Sequence, residues 1–176
     1  AWLIEKLVRG GVTGIVINIA HLGETIEAAL GDGGKFGTRI VYSREREALE
    51  TAGGIALALP LLGETPFLVV NGDVFSDFDF RRFEAISTQL SRTGTLAHLV
   101  LVDNPPHHPR GDFCLNQGLV AAEGGKRFTF SGMGFYHPAR FAPIVPGTKY
   151  HLAALLRGPM AEGRVSGEHH RGLWLD

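Results

Sequence analysis

This 176-residue chain has a single cysteine, no long apolar run and no excess of one charge. The single cysteine, Cys114, excludes a disulfide framework and a thiolate zinc site, and it favours a reducing, cytoplasmic compartment. No apolar run approaches the roughly 18 residues that a membrane span needs, so we expect no membrane partner. The net charge of −1 and the pI near 6.8 lack the basic face of a nucleic-acid-binding protein, so we expect no nucleic-acid partner either.

The eight histidines do not form a metal site by their spacing. Two pairs, His107-His108 and His169-His170, are adjacent in the chain, and neighbouring side chains of an extended segment point to opposite faces. The His-Glu-x-x-His pattern of zinc proteases is absent. Structural or surface roles are therefore expected for the histidines.

Strand-like and helix-like patterns alternate at short intervals through the first half, which is typical of a parallel sheet with helices packed on it. A Gly-Gly turn at 124–125 between two strand-like runs predicts a hairpin, so the sheet becomes mixed in the second half. The predicted strands are 15–20, 38–42, 67–70, 96–102, 113–121, 126–136 and a last strand or strand pair over 164–176. The predicted helices are 2–8, 21–30, 51–62, 77–91, 138–144 and 149–161.

We predict a single domain over residues 1–176. The chain begins directly on a helical pattern and ends on an apparent strand tip at Asp176. We therefore expect native sequence beyond both ends.

The segment Phe67–Asp79, FLVVNGDVFSDFD, is the one around which we expect the chain to be organised. Its apolar start predicts a strand buried on both faces, as in a parallel sheet. The strand stops at Asn71-Gly72-Asp73, and ligands of open α/β sheets bind beyond the carboxyl ends of strands. Asp73 could hold a hard metal ion there, or it could be a turn residue or helix cap.

Four other segments are candidate sites with an equally plain structural interpretation. Glu50–Gly54 places glycines at a helix start, where a base or phosphate could approach the backbone, or where small residues could pack on the sheet. Gly111 and Asp112 could meet a sugar, or form a turn. Ser131-Gly132 interrupts a strand, which suggests a bulge or close approach of a ligand. Asp176 follows an apolar strand end, as Asp73 does, so two strand-tip carboxylates could share one divalent ion.

Asp77-Phe78-Asp79 matches the Asp-x-Asp pattern with which many glycosyltransferases hold a metal–diphosphate. An amphipathic helical pattern begins at the same place. We therefore favour an N-cap and acidic first turn for these two aspartates.

Taken in order, these segments resemble the sugar-1-phosphate nucleotidyltransferases. The resemblance rests on 67–73, 50–54, 111–113, 130–132 and 172–176, and it covers essentially the whole chain. The segments HLVLVDNP at 98–105, RGDF at 110–113 and VSGEH at 165–169 are similar to a subgroup, the N-acetylmuramate 1-phosphate uridylyltransferases of bacterial cell-wall recycling.

The resemblance implies a Rossmann-like mixed, mostly parallel α/β domain of the nucleotide-diphospho-sugar transferase type. It implies that a sugar 1-phosphate attacks the α-phosphorus of a nucleoside triphosphate with Mg²⁺ as cofactor, most closely UTP and N-acetylmuramate 1-phosphate. The positions that match the family's metal ligands are Asp73, which is also catalytic, and Asp176. Those that match its nucleotide site are Glu50, Gly53, Gly54 and Asn71, and those that match its sugar site are Gly111, Asp112, Ser131 and Gly132.

The family's Gly-rich loop, with a catalytic Arg and a nearby Lys, should precede Trp2, and we expect little activity from a protein without it. Two alternatives stay open at this point. One is a metal-dependent glycosyltransferase that uses Asp77 and Asp79, and the other is a non-catalytic nucleotide-sugar-binding relative. The patterns leave the oligomeric state open.

Overall fold

Residue contacts divide the protein, described over all of residues 1–176 by a computed structural model, into two compact units. The first unit comprises Ala1–Glu64 and Pro138–Leu155. The second comprises Thr65–His137 and Leu156–Asp176. None of the helices is both long enough and apolar enough to cross a lipid bilayer.

The first unit is built on a two-stranded parallel ladder. Its elements are α1 (Trp2–Arg9), β1 (Gly14–Ile19), α2 (Gly23–Leu30), β2 (Arg39–Arg44) and α3 (Glu50–Leu62). The ladder runs from Gly14 opposite Arg39 to Ile19 opposite Arg44, and α3 packs on both strands. Helix α3 can lie close to them because its first turns are rich in small residues, and residues 52–56 are buried. The strands and helices predicted here are confirmed.

The second unit contains most of the sheet. Its elements are β3 (Phe67–Val70), β4 (Phe75–Ser76), α4 (Phe83–Thr93), β5 (Ala97–Val102), β6 (Phe113–Asn116), β7 (Leu119–Ala121), β8 (Arg127–Tyr136), β9 (Val165–His169) and β10 (Trp174–Leu175). Six strands form one sheet in the order β3-β8-β5-β9-β7-β6, while β4 and β10 form a separate two-stranded ladder. Helix α4 packs on β5 and β8. The predicted mixed α/β class, with sheets flanked by helices, is confirmed.

Antiparallel pairing is more frequent than the sequence indicated. Only β1–β2 and β5–β9 are parallel, whereas the other six strand pairings are antiparallel. The parallel, doubly buried environment expected for Phe67–Val70 is wrong, because β3 is an edge strand antiparallel to β8 and only Phe67 is fully buried. A short apolar run does not indicate whether the neighbouring strand is parallel or antiparallel, since apolar side chains suit both kinds of ladder.

The helix predicted over 77–91 begins later than expected. A 3-10 turn over Phe80–Arg82 precedes α4, and the Asp79 side chain accepts a hydrogen bond from the Arg81 amide as its N-cap. Asp77 lies before this turn, and its amide donates to the carbonyl of Leu173. The cap at Asp79 is therefore confirmed, whereas the helical first-turn position of Asp77 is wrong, because tertiary pairing holds its backbone.

Three further boundaries differ. The strand predicted over 113–121 is the hairpin β6–β7, since Gln117 and Gly118 both adopt positive φ, as a type I′ turn requires. Residues 138–144 form only a 3-10 turn, Pro138–Arg140. Helix α5 (Leu152–Ala161) starts after Tyr150, whose amide donates to Leu49 and whose carbonyl accepts from Ala52.

Candidate functional site

A bulge in β8 is the centre of the site region in the second unit. Val100 of β5 lies opposite Met133 and Leu101 opposite Phe130, so no residue of β5 opposes Ser131 or Gly132. Gly132 adopts φ +76°, a conformation that side chains other than glycine's disfavour. The buried Ser131 hydroxyl donates to the Val100 carbonyl (2.7 Å) and accepts from the Met133 amide (3.2 Å). The predicted bulge is confirmed, and the serine hydroxyl stabilises it.

The end of β3 packs directly on this bulge. The Asn71 amide donates to the Gly132 carbonyl at 2.9 Å. A Cβ atom at position 132 would lie 2.8 Å from Asn71 Nδ2, so only glycine leaves room for this side chain. The chain then turns at Gly72 and Asp73, closed by the Val74 amide on the Asn71 carbonyl (3.3 Å). The bulge therefore fixes where β3 ends and where the following turn lies.

Asp73 is exposed in that turn, and no hydrogen bond or ion pair engages its carboxylate. Asp176 follows β10, which pairs antiparallel with β4 through Leu175 opposite Phe75. Continuing this register by one residue brings Asp176 level with Val74, the neighbour of Asp73. Two carboxylates about a hundred positions apart in sequence therefore lie at the same end of one short ladder.

The chemistry of these two residues fits a magnesium ion. Both are exposed carboxylates, and the only partner of the Asp176 carboxylate is His107, with Nε2 3.7 Å from Oδ1. No cluster of three or more His, Cys, Asp or Glu side chains forms a complete protein cage for a metal. Mg²⁺ is commonly held by one or two carboxylates together with substrate phosphates and water. Two open carboxylates match that demand, whereas a structural zinc site would need more protein ligands.

The rival pair, Asp77 and Asp79, is differently placed. A hydrogen bond from the Leu173 backbone and another from His170 (Nε2 to Oδ1, 2.8 Å) lower the pKa of Asp77. The Arg81 guanidinium donates to both oxygens of Asp79 (2.8 and 2.9 Å) and lowers its pKa as well. Both carboxylates therefore serve the chain's own structure, which does not favour a metal–diphosphate site at Asp77-x-Asp79.

The residues predicted to face the sugar also have partners within the chain. Asp112 accepts from the Phe130 amide (2.8 Å) with one oxygen and lies 3.0 Å from His108 Nε2 with the other. Gly111 has φ +58°, and a Cβ atom there would collide with Asn104 and the Phe128 carbonyl. Gly111 and Asp112 lie in the loop after β5, and they contact β8 at Phe128 and Phe130, just before the bulge. Their predicted contact with a sugar stays a prediction.

The predicted nucleotide residues of the first unit lie at the start of α3. Glu50 adopts φ +63°, a rare conformation for a residue with a side chain, and its carboxylate is 3.4 Å from His151 Nδ1. The Gly53 amide donates to the Tyr150 carbonyl (3.2 Å). A Cβ atom at Gly54 would lie 2.5 Å from Glu45 Oε1. The two glycines thus permit close packing. Packing of the helix does not by itself require the positive φ of Glu50, which makes Glu50 the unusual feature of this segment.

Three residues that the sequence did not single out complete the region. The Trp174 indole donates to the Ser131 carbonyl at 2.9 Å. His170 links Asp77 to the segment after β9, and its amide donates to the Leu101 carbonyl. His98 lies 2.9 Å from Ser166 Oγ and 3.3 Å from Glu168. The apolar alternation around Trp174 indicated a strand, but nothing in it indicated a partner for the indole.

Glu168 is a further carboxylate with partners on two sides. Arg82 Nη1 lies 2.8 Å from one oxygen and His98 Nε2 3.3 Å from the other. Partial burial alone would raise the pKa of Glu168, but the hydrogen bonds and charges of His98 and Arg82 outweigh it and lower the pKa to about 2. This network links the turn before α4, which carries Arg82, to β5 and β9, which carry His98 and Glu168.

Comparison with known proteins gives concordant results. The family model described as nucleotidyl transferase matches residues 1–111. A Neisseria meningitidis protein named N-acetylmuramate alpha-1-phosphate uridylyltransferase is 51% identical over 99% of this chain and 77% of its own length. Mannose-1-phosphate guanyltransferase beta-B of Xenopus laevis is 36% identical over 98% of this chain, which spans about half (50%) of that relative.

Among solved structures, a candidate glucose-1-phosphate thymidylyltransferase from Bacillus anthracis, crystallised with sucrose, superposes with a TM-score of 0.80. The match covers 98% of this chain and 74% of that one, at 17% identity. Identity this low shows a shared fold and nothing further. It agrees with the fold type that the ordered motifs indicated.

Proposed function

Because the chain belongs to the sugar-1-phosphate nucleotidyltransferase family, we propose that it transfers the uridylyl group of UTP to N-acetylmuramate 1-phosphate, in the cytoplasm, as a step of cell-wall sugar recycling. The observation that carries this proposal is the 51% identity over 99% of the chain to a relative that bears the name of this activity. The guanylyltransferase relatives match less well and are covered over only half their length.

The proposed reaction needs no protein nucleophile. A phosphate oxygen of the sugar 1-phosphate forms a bond to the α-phosphorus of UTP, and the bond from that phosphorus to the α–β bridging oxygen breaks. The electron pair leaves with pyrophosphate, so charge and atoms balance. Positioning and charge neutralisation supply most of the catalysis in such phosphoryl transfers.

We assign the metal-binding role to Asp73 and Asp176. A bound Mg²⁺ would neutralise phosphate charge and orient the α-phosphate. The two aspartates suit this role because they are exposed and because no arginine or lysine neutralises them. Asp73 is placed by a turn that begins on the β8 bulge, and Asp176 by its ladder with β4.

The remaining proposed contacts are with the nucleotide and the sugar. At Glu50, Gly53 and Gly54 we assign the nucleotide contact to the backbone, because the left-handed conformation of Glu50 changes the direction of its peptide groups. At Asn71 the side chain is exposed beside Gly132 and has amide groups that a nucleotide could bind. For the sugar we assign Gly111, Asp112, Ser131 and Gly132 to shaping the site, since their own polar groups largely bond within the chain.

The test is a direct assay of the native full-length protein with UTP, MgCl₂ and N-acetylmuramate 1-phosphate, in which pyrophosphate and UDP-N-acetylmuramate are both quantified. We expect the two products to appear in equal amounts, and to disappear when EDTA is added. N-acetylglucosamine 1-phosphate with UTP, and mannose 1-phosphate with GTP, are the matched alternatives. Preference for either alternative over N-acetylmuramate 1-phosphate would refute the proposed specificity.

A further inference from the structure

The β8 bulge contacts both segments that carry the predicted metal ligands, in each case two residues before the ligand. Its Gly132 carbonyl accepts the Asn71 amide (2.9 Å), two residues before Asp73. Its Ser131 carbonyl accepts the Trp174 indole (2.9 Å), two residues before Asp176. We propose that this bulge is the common support that sets the distance between the two carboxylates, and that Trp174 is a positioning residue for Asp176. This inference rests on the metal-binding assignment made in the proposed function.

The segment that carries Asp176 has few other supports. Its ladder with β4 consists of two residue pairs, Trp174–Ser76 and Leu175–Phe75. Leu173 and Leu175 are exposed and so contribute little burial, at 49% and 57% of their surfaces. The half-buried Trp174 is the residue of this segment that faces into the unit, and its indole makes the only side-chain hydrogen bond of residues 172–176. Without that bond the position of Asp176 would depend on the two-pair ladder, on the backbone bonds between Leu173 and Asp77, and on His107 at 3.7 Å.

The bulge contacts its two neighbours on different sides. The Gly132 carbonyl bonds to the Asn71 amide in continuation of the β3–β8 register, whereas the Ser131 carbonyl, which no residue of β5 opposes, accepts the Trp174 indole. The Ser131 side chain, bonded to Val100 and Met133, stabilises the irregular backbone from within. One irregularity in β8 can therefore support both the segment before Asp73 and the segment before Asp176, in the way that residues outside the direct ligand set orient metal ligands.

The experiment measures Mn²⁺ binding to the full chain by electron paramagnetic resonance, with UTP present, in wild type and Trp174→Phe. Phenylalanine keeps the aromatic ring and removes the N–H. We expect the dissociation constant for Mn²⁺ to rise about tenfold. We also expect turnover to recover to within about threefold of wild type at saturating Mg²⁺, because both ligands remain. Trp2→Phe, which alters the only other tryptophan, is the matched control and should change neither quantity.

A second pair of variants tests the Asn71 side of the bulge and does not depend on how well Trp174→Phe folds. Gly132→Ala introduces a methyl group 2.8 Å from Asn71 Nδ2 at φ +76°. Gly94→Ala imposes comparable backbone strain at φ +69° in the same unit, where no atom lies within 4 Å of the new methyl group. Both should lower thermal stability, but only Gly132→Ala should weaken Mn²⁺ binding.

The outcomes separate this inference from the proposed function. Unchanged Mn²⁺ affinity in both Trp174→Phe and Gly132→Ala would overturn the inference, as would a loss of turnover that Mg²⁺ cannot restore. Failure of wild type to bind Mn²⁺ would overturn it together with the metal assignment. If Trp174→Phe weakens Mn²⁺ binding while N-acetylmuramate 1-phosphate proves not to be the acceptor, the inference is supported and the proposed substrate alone is wrong.

Discussion

The aspartate pair Asp77 and Asp79 and the pair Asp73 and Asp176 have opposite surroundings. Asp77 and Asp79 have hydrogen-bond partners on their carboxylates, from Leu173, His170 and Arg81. Asp73 has none, and Asp176 has only His107 at 3.7 Å. The four residues look alike in sequence, since each follows or begins a short apolar segment. A carboxylate that is available for a metal therefore differs from a structural one in having few or no hydrogen-bond donors from the chain itself.

The largest effect should come from Asp73→Asn. The substitution keeps the shape of the turn and removes a charge that no neighbour balances, so turnover should fall about 10³-fold. The thermal midpoint should stay within about 2 °C of wild type, because no contact of the fold is lost. Steady-state assay and thermal unfolding of the same preparation check this. Uridylyl transfer within tenfold of wild type would remove Asp73 from the site.

Asp176→Asn should have the next largest effect. It lies at the end of the two-pair ladder and is one of two proposed ligands, so we expect turnover to fall about 10²-fold at saturating Mg²⁺. The magnesium concentration for half-maximal rate should rise as well. His107→Ala is the matched control, because it removes the one neighbour of Asp176 and leaves its charge. A magnesium dependence that is identical in Asp176→Asn and wild type would contradict the pairing with Asp73.

Glu168 extends the comparison to a carboxylate whose partners are both basic side chains. Its pKa of about 2 in the folded protein lies below the ordinary 4.5, so the folded state favours its charged form. Its contribution is therefore complete above about pH 4.5 and is lost as the pH falls toward 2. Unfolding at pH 6 should show wild type about 2 kcal/mol more stable than Glu168→Gln.

The same measurement at pH 3 gives the test of that contribution. The difference between wild type and Glu168→Gln should become smaller, because below pH 4.5 the unfolded chain takes up a proton at this carboxylate while the folded protein, with a pKa of about 2, still holds it charged. A difference that stays constant between pH 6 and pH 3 would show that packing, rather than charge, accounts for it.

Asp77→Asn should have the smallest effect on turnover. The asparagine can still accept from Leu173 but loses the charge that attracts His170, so we expect the midpoint to fall by about 3 °C. Turnover should stay within about threefold of wild type, since a structural carboxylate bears only indirectly on phosphoryl transfer. If instead this variant loses metal-dependent activity as fully as Asp73→Asn, the distinction between the two pairs of aspartates fails.

Some parts of the structure follow directly from local sequence. The helices of the first unit, the bulge at Ser131-Gly132 and the cap at Asp79 were all predictable, because small residues, glycine in a strand and an aspartate before a turn act over a few residues. The ordered motifs also indicated the family, which the comparisons show.

Other parts depend on partners that are distant in sequence. The direction and edge position of β3 and the late start of α4 were missed because each depends on which segment supplies the opposing hydrogen bonds. The interruption of 113–121 was missed for a local reason, since the two-residue turn at Gln117-Gly118 was not recognised. An apolar run or an amphipathic pattern has the same local appearance with either partner.

The sequence by itself determined that Asp73 ends a strand and that a second carboxylate, Asp176, ends another. Only the tertiary structure decided that these two lie at one end of the β4–β10 ladder, while Asp77 and Asp79 are occupied. The physical reason is that an aspartate's availability depends on the donors around it. His170, which donates to Asp77, reaches this region from 93 residues away in sequence, because it follows β9 and its amide donates to the Leu101 carbonyl.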